Sequence, residues 1–260
     1  MDLDVTSADG TLVHAEISGR GATALVFVHG WLGSGRWWDA QRDALADTYT
    51  VVQVDLAGHG ASGRGRTRWS IDGYADDVVA VVERVDAARV VLIGHSMSGA
   101  HVVVAASRIP RTAMVVLVDT LKDLDARPDP VETEAMLGLY RRDYATAVAQ
   151  ILPRFLFAPT TPPEVAARLQ REFLAVPGEL AAELVAPLYR DDYHTAARAL
   201  RVPVRAINGD LHPTNVASNR RWFADYDLRV MPGVGHYPML EQPAAFTDHL
   251  RAVLAELPPA

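Results

Sequence analysis

The stretch that decides the fold is IGHSMSG, residues 93–99, where a short apolar run ends and a Gly/Ser-rich turn begins. A helical pattern follows, so Ser96 stands between a predicted strand and a predicted helix. This is the setting in which a G-x-S-x-G turn exposes a nucleophilic serine, although Ser98 replaces the second glycine. Ser98 is small enough for the helix and the strand to approach each other. A plain strand-to-helix turn is the alternative, so Ser96 is a candidate nucleophile that needs partners.

Runs rich in Val, Leu and Ile recur along the chain with little polar–apolar alternation, which is typical of strands covered on both faces of a parallel sheet. These runs are residues 24–29, 49–56, 89–95, 113–119, 204–209 and 228–234. Helical patterns separate them, at residues 37–47, 71–85, 97–108, 215–223 and 243–256. The order predicts an α/β sheet covered by helices on both faces. The alternating TLVHAEISG, residues 11–19, predicts an antiparallel hairpin at one edge.

The strand–helix alternation stops between residues 121 and 200, where the pattern is helical and interrupted by prolines. We interpret residues 121–200 as a helical cap inserted between two strands of a core formed by residues 1–120 and 201–260. Ligands of such sheets bind at the carboxyl ends of the parallel strands. A cap above those ends is therefore expected to shape the substrate pocket.

Composition excludes several classes of function. The formal net charge is −7 and no basic face is evident, which argues against a nucleic-acid partner. The chain has no cysteine, so disulfides and thiolate metal sites are excluded. The acidic N-terminus is not a signal peptide, and no apolar run could span a bilayer. We expect a cytoplasmic protein that acts on a small molecule without a membrane partner, and a homodimer is left open.

A serine hydroxyl needs a base, and His236 is the best candidate among nine histidines. It lies in the Gly-rich VMPGVGHYPMLEQP, residues 230–243, after the last predicted core strand. Such a loop can hold an imidazole above the strand ends. After another predicted strand, the loop HGWLGSGRWW offers backbone N–H groups beside the elbow. The N–H groups of Trp31 and Met97 are the candidate oxyanion hole.

Five segments together resemble the α/β-hydrolase fold superfamily over nearly the full chain, in its serine hydrolase or esterase-like branch. The segments are FVHGWLGS, DLAGHGASG, IGHSMSGA, VVLVDT and VGHYPMLEQP. The resemblance implies a mostly parallel sheet of about eight strands, a helical cap after the sixth strand and a Ser–His–acid triad. It also implies Ser96 as nucleophile, His236 as base and, as is usual for this fold, no cofactor.

The triad acid is where the sequence departs from the family pattern. The family most often places the acid shortly after the seventh strand, in a G-x-x-D pattern. Here the segment INGDLHPTN has His212 at that position, and Asp210 directly follows the glycine. The other known location is the end of the sixth strand, where VVLVDT supplies Asp119. We favour Asp119 and keep Asp210 as the alternative.

Candidate substrate contacts are His29, Trp31, Tyr140 and Phe155. For His29 the alternative is a role in organising its loop, and for the aromatic residues it is packing. The GHGASG of residues 58–63 matches a dinucleotide fingerprint but is not followed by a helix, so no cofactor is expected. The spacing of His and Asp residues is too sparse to indicate a metal site.

The sequence therefore predicts a hydrolase that cleaves an ester or lactone through Ser96, His236 and Asp119 and an acyl-enzyme. Cleavage of a carbon–carbon bond is an alternative for the same residues. A second alternative is a cofactor-free dioxygenase of hydroxylated N-heteroaromatics, in which a His–Asp dyad is the base and Ser96 only positions the substrate. A third is a ligand-binding protein on this fold without catalysis.

Overall fold

An eight-stranded sheet forms the centre of the computed structural model, which describes residues 1–257. Its strands are β1 (Asp2–Thr6), β2 (Leu12–Ser18), β3 (Thr23–Val28), β4 (Thr50–Asp55), β5 (Arg89–His95), β6 (Thr112–Val118), β7 (Val204–Gly209) and β8 (Tyr226–Met231). Their order is β1-β2-β4-β3-β5-β6-β7-β8. Strand β2 is antiparallel to β1 and to β4, and the other neighbours are parallel. The predicted fold class and the edge hairpin are confirmed.

The strands at the centre of the sheet are apolar because both of their faces are covered. Every residue of β3 and β4 is buried, as is nearly all of β5 and β6. Strand β8 lies at an edge and is partly exposed. It ends at Met231, earlier than the predicted 228–234, since Pro232 has no N–H with which to continue the ladder.

Helices pack on both faces of the sheet and fill the connection between β6 and β7. They are α1 (Asp39–Leu45), α2 (Ile71–Val82), α3 (Ser98–Ala106), α4 (Pro130–Arg142), α5 (Tyr144–Thr146), α6 (Leu152–Leu156), α7 (Pro163–Leu174), α8 (Gly178–Arg190), α9 (His194–Ala199), α10 (Val216–Trp222), α11 (Pro238–Glu241) and α12 (Pro243–Leu254). A 3₁₀ turn, Gly35–Trp38, precedes α1, and a π-helical turn, Ala147–Ile151, joins α5 to α6. Within residues 1–257, no helix is long and apolar enough to cross a membrane.

The segment from α4 to α9 is joined to the sheet by tryptophan side chains of the loop after β3. The indole N–H of Trp31 donates to the carbonyl of Ala181 at 2.8 Å, and that of Trp37 donates to Glu172 at 2.7 Å. Proline begins α4 and α7, where its missing N–H costs no hydrogen bond. The division into core and cap remains a prediction, and residues 258–260 of the predicted core lie outside the described residues.

Candidate active site

Ser96 occupies a sharp turn between β5 and α3. Its φ is +53°, a left-handed conformation that is uncommon for a residue other than glycine and is found at functional turns. Two residues earlier, a Cβ on Gly94 would lie 2.5 Å from the carbonyl oxygen of Ser98 and 2.6 Å from Val102. Glycine at position 94 therefore lets the helix start directly against the strand and lifts Ser96 toward the edge of the sheet.

Ser98 takes the position at which the elbow pattern has glycine. Its side chain is fully buried, and its hydroxyl donates a hydrogen bond to the carbonyl of His29 in the loop after β3. In α3, the position that has no room for a side chain is the next one, Gly99, where a Cβ would lie 2.4 Å from Thr120 Cγ2 in the segment after β6. Serine is accommodated at position 98 because its hydroxyl has a partner, and it joins the elbow to that loop.

His236 lies between Ser96 and Asp119, both of which the sequence assigned to the site. Its Nε2 is 2.7 Å from Ser96 Oγ, and its Nδ1 is 2.7 Å from Asp119 Oδ2. An ionised carboxylate only accepts hydrogen bonds, so Nδ1 carries the proton and Nε2 is free to accept the serine hydroxyl. The backbone of His236 is held on both sides: its N–H donates to Leu156 at 2.9 Å, and His95 Nε2 donates to its carbonyl at 2.7 Å.

Asp119 is buried at the end of β6, with φ of +44°. Its Oδ1 accepts the backbone N–H of Gly209 at 2.8 Å and is 2.8 Å from the ammonium of Lys122. Burial alone would raise the pKa of Asp119. The hydrogen bond and charge of His236, together with Lys122, outweigh burial and hold that pKa below its usual value. Asp119 is therefore an ionised partner for the imidazole at neutral pH.

Asp210, the alternative acid, is exposed and points elsewhere. Its Oδ1 accepts the backbone N–H of Gly233 at 2.9 Å, in the loop after β8. Of the two carboxylates that follow strand ends, the structure brings Asp119 to His236 and gives Asp210 the geometry of a turn residue.

Trp31 and Met97 approach Ser96 from the loop after β3 and from the start of α3. Both line the same cavity as Ser96. A Cβ on Gly30 would lie 2.5 Å from His95 Nδ1 and 3.1 Å from Ser96 Cβ, so this loop passes close to the serine. The assignment of the oxyanion hole to Trp31 and Met97 remains a prediction.

A cavity of about 850 Å³ opens above these residues, between the sheet edge and the helices that follow β6. Its wall includes Trp31, Tyr140 and Phe155, three of the predicted substrate contacts. The rings of Trp31 and Tyr140 stack at 5.1 Å and 24°. Phe155 is 57% exposed, and its role as a substrate contact remains a prediction.

The predicted substrate contact of His29 needs correction. His29 is fully buried and lies outside the cavity wall that residues 1–257 form. Its Nδ1 donates to the carbonyl of Gly30 at 2.7 Å, and its Nε2 accepts the N–H of Leu56 at 3.1 Å. Burial lowers the pKa of His29 to about 4, against the opposing effect of the Gly30 hydrogen bond. The neutral ring therefore organises two loops beneath the site.

The turn GHGASG, residues 58–63, packs around the carboxylate of Asp55. Asp55 accepts the N–H groups of Gly35 at 2.6 Å and Ala61 at 2.7 Å, and a Cβ on Gly60 would lie 1.9 Å from Asp55 Oδ2. The next helix begins only at Ile71, so the turn has no helix N-terminus to hold a pyrophosphate.

Within residues 1–257, no group of three or more His, Asp or Glu side chains could hold a metal ion.

Two residues that support the site were missed by sequence reasoning. Glu241 accepts the N–H groups of Gly235 and Tyr237 at 2.9 Å each, and so fixes the loop on either side of His236. Its place in GHYPMLE, close after the histidine, was the available signal. The contacts of Lys122, beside Asp119, could not be read from the sequence, because its other partners are backbone carbonyls far along the chain.

The chain is similar to hydrolases over most of its length. The sequence profile of the "Alpha/beta hydrolase family" matches residues 25–249. A pimeloyl-[acyl-carrier protein] methyl ester esterase of Nitrosospira multiformis is 28% identical, with 92% of this chain and 96% of that protein aligned. A 3-oxoadipate enol-lactonase of Acinetobacter baylyi is 24% identical over 96% of this chain and 95% of its own. A thermophilic esterase from Thermogutta terrifontis superimposes with a TM-score of 0.83 at 26% identity, covering 98% of each chain.

Proposed function

Because the chain belongs to the alpha/beta hydrolase family and is a hydrolase, we propose that it cleaves an ester or lactone through a triad of Ser96, His236 and Asp119. The observation that carries the proposal is the position of His236, 2.7 Å from the serine hydroxyl on one side and 2.7 Å from a buried carboxylate on the other. Nucleophile, base and orienting acid in one line are the requirements of acyl transfer by a serine.

In this mechanism, His236 Nε2 removes the hydroxyl proton of Ser96 as Oγ bonds to the substrate carbonyl carbon. The negative charge that develops on the carbonyl oxygen is stabilised by the N–H groups of Trp31 and Met97, next to the N-terminus of α3. Asp119 keeps Nδ1 protonated and stabilises the imidazolium. The imidazolium then protonates the departing alkoxide, which leaves an ester on Ser96. Water, deprotonated by the same histidine, releases the acid and restores the serine.

We further propose that the scissile group carries a sizeable, largely apolar acyl or alcohol part. The cavity of about 850 Å³ falls in the upper range of small-molecule pockets and is far larger than an acetyl group requires. Its wall contains Leu139, Leu152 and Val185 beside the aromatic residues. Two relatives are named for carboxylic ester substrates, a methyl ester and an enol-lactone. Carbon–carbon cleavage by the same serine stays an alternative.

A second candidate function is favoured by one observation, the acid at the end of β6. Cofactor-free dioxygenases of this fold pair a histidine base with an acid at that position. In a cofactor-free dioxygenase, the Asp119–His236 pair would deprotonate a hydroxylated N-heteroaromatic, and Ser96 would only hydrogen-bond to it. The two candidates differ in their need for Ser96 and in their use of oxygen.

The test is hydrolysis of p-nitrophenyl acetate and butyrate by the wild type, Ser96→Ala, Asp119→Ala and Asp210→Ala. The proposal expects turnover to be lost in Ser96→Ala and to fall far more in Asp119→Ala than in Asp210→Ala. Turnover that is indifferent to Ser96 would reject the acyl-enzyme. Oxygen consumption with a 3-hydroxy-4-quinolone that survives in Ser96→Ala would establish the dioxygenase. Ligand binding with neither activity would indicate a non-catalytic protein.

A further inference from the structure

Lys122 is the only lysine of the chain, whose 25 Lys and Arg residues are otherwise all arginine. It comes three residues after Asp119 and lies on the wall of the cavity, with 16% of its side chain exposed. An ammonium and a guanidinium bind acceptors in different geometries, so the contacts of Lys122 define what this lysine does.

The ammonium of Lys122 has three acceptors within reach. Its Nζ is 2.8 Å from Asp119 Oδ1, and it donates to the carbonyls of Gly209 at 3.2 Å and His212 at 3.0 Å. An ammonium has three N–H donors, so these contacts use all of them and leave none for a substrate carboxylate. A flat, forked guanidinium would not match three acceptors grouped around one point.

The backbone next to Lys122 is strained. Asp119 and Leu121 both have left-handed φ values, of +44° and +45°, which are costly for residues other than glycine. On the neighbouring strand, a Cβ on Gly209 would lie 2.3 Å from the carbonyl of Gly235, next to His236. Lys122 thus bonds the strained turn after β6 to the end of β7, where the loop that carries His236 also packs.

We propose that Lys122 is a positioning residue that fixes the orientation of Asp119 and sets the pH range in which the Asp119–His236 pair works as a base. The inference rests on the proposed function of the triad. In that role the lysine neutralises part of the carboxylate charge, so that the imidazole gives up its proton more readily after each transfer.

The surrounding titratable groups do not take over this role. They are His95 and Tyr237 beside the imidazole, Asp123 next to Lys122, and Asp129, Glu132, Tyr140, Arg142, Tyr189 and His212 on the cavity wall. Arg142, at the end of α4, is exposed, and the groups that hold the pKa of Asp119 down are His236 and Lys122. Burial lowers the pKa of His95 to about 3 and raises that of Tyr237, so both are neutral at working pH. Asp129 and Glu132 are acidic and cannot replace a cation, and His212 Nε2 is bonded to the carbonyl of Phe155.

The sign of the expected pH effect follows from the charge of Lys122. A neighbouring cation favours the ionised carboxylate and so helps to hold the pKa of Asp119 below its usual value. Activity requires Asp119 ionised and His236 neutral. Removing the cation raises the pKa of Asp119, so the acidic limb of the pH profile of kcat/KM moves to higher pH.

The first test compares Lys122→Met, which keeps an unbranched apolar stem, with Lys122→Arg, which keeps the charge. For Lys122→Met we expect the acidic limb to move up by about one pH unit and the plateau to fall by roughly tenfold. For Lys122→Arg we expect an unmoved limb and a lower plateau. Arg154→Met, which removes an exposed cation from α6, should change neither. A limb that stays in place in Lys122→Met would overturn the proposal, even if the plateau and Tm fall.

The second test does not depend on activity. Because the chain has one lysine, ¹⁵N-lysine labelling gives a single side-chain ammonium resonance. We expect it to be protected from exchange with water in the wild type and in Asp210→Asn, and to broaden in Asp119→Asn. If the line width and the protection of this resonance are unchanged in Asp119→Asn, the ion pair is contradicted. A protein with no Ser96-dependent turnover but an Asp119-dependent resonance refutes the proposed function and keeps the ion pair, so the two failures are distinguishable.

Discussion

The two walls of the cavity are held in different ways. On the sheet side, Ser96 and Asp119 follow the ends of β5 and β6 in left-handed backbone, and His236, in the loop after β8, is hydrogen-bonded to both. On the opposite side, Tyr140 stacks on Trp31 and Phe155 is exposed, and both belong to helices of the connection between β6 and β7. The sheet wall therefore has the precision that bond making needs, and the helical wall can change its shape without moving the reacting atoms.

The same contrast appears in the buried histidines. His29, His59, His95 and His101 all lie at or beneath the sheet edge, fully buried, and burial lowers the pKa of each. His194, on α9, is by comparison only partly buried, and burial and the charge of Arg127 lower its pKa. Acid should therefore destabilise the molecule mainly through the buried histidines on the sheet side.

The largest difference between the walls is expected for catalysis. Asp119→Asn should lower kcat by roughly 10⁴-fold, since an amide holds the wrong tautomer of the histidine. Phe155→Ala should change kcat/KM by about tenfold at most, because it removes only contact area. Asp210→Asn, the matched control, should stay within about twofold of the wild type. These constants come from p-nitrophenyl butyrate hydrolysis, and similar losses in Asp119→Asn and Asp210→Asn would contradict the assignment of the acid.

Acid is expected to destabilise the fold through the buried histidines. The pKa of His29 is about 4 and that of His95 about 3, both below the ordinary value of 6.5. Their contribution to stability is complete above the ordinary value and is lost as the pH falls toward the folded values, by up to about 1.4 kcal/mol per pH unit for each histidine. Urea unfolding at a series of pH values measures this slope.

His101 offers a way to isolate one of these groups. Both of its ring nitrogens are buried without a hydrogen-bond partner, and its ring stacks on Tyr74 at 4.5 Å. His101→Phe keeps a stacked ring and removes the proton-binding site, so the slope of stability against pH should become shallower. The partly exposed His249, changed to Gln, serves as control. An equal slope in His101→Phe and the wild type would refute this explanation.

The helical wall is expected to govern the choice of ester. Leu139→Trp places a larger side chain in the cavity and should lower the ratio of kcat/KM for p-nitrophenyl decanoate to that for the acetate by about tenfold. Hydrolysis of the acetate should hardly change, because the reacting groups lie on the other wall. A parallel loss for both esters would mean that the two walls are not independent.

The smallest effect is expected at the elbow itself. Ser98→Gly restores the usual pattern but removes the hydrogen bond to the carbonyl of His29, and should cost about 1–2 kcal/mol in the free energy of unfolding. Activity should change little. Gly99→Ala should cost more, since its Cβ would lie 2.4 Å from Thr120. Thermal unfolding of both variants ranks them, and the reverse order would contradict the local packing described.

The sequence predicted those features that depend on local pattern. The strand runs and the elbow at Ser96 follow from periodicity and turn chemistry, and the position of His236 follows from its loop after the last strand. The acid could not be decided in this way, because Asp119 and Asp210 both follow strands whose ends meet at one edge. Only the folded backbone shows that Asp210 turns to the N–H of Gly233.

The contacts of residues that bind backbone groups far along the chain could not be predicted, because no local sequence pattern indicates them. Lys122 owes its place to carbonyls on the next strand and in the loop beyond it. His29 stands beside the predicted oxyanion loop, and its proximity suggested a ligand contact. Its actual partners, Gly30 and Leu56, bury it below the cavity. In both cases the deciding contacts join segments that are separate in the sequence.

The central claim, that Ser96 is the nucleophile, is tested most directly by trapping it. The wild type would be incubated with a fluorophosphonate probe and the modified peptide located by mass spectrometry. The account predicts one adduct per chain, on Ser96, that forms much more slowly in Asp119→Asn and at the wild-type rate in Asp210→Asn. An adduct on another residue, or ester hydrolysis that persists in Ser96→Ala, would contradict it.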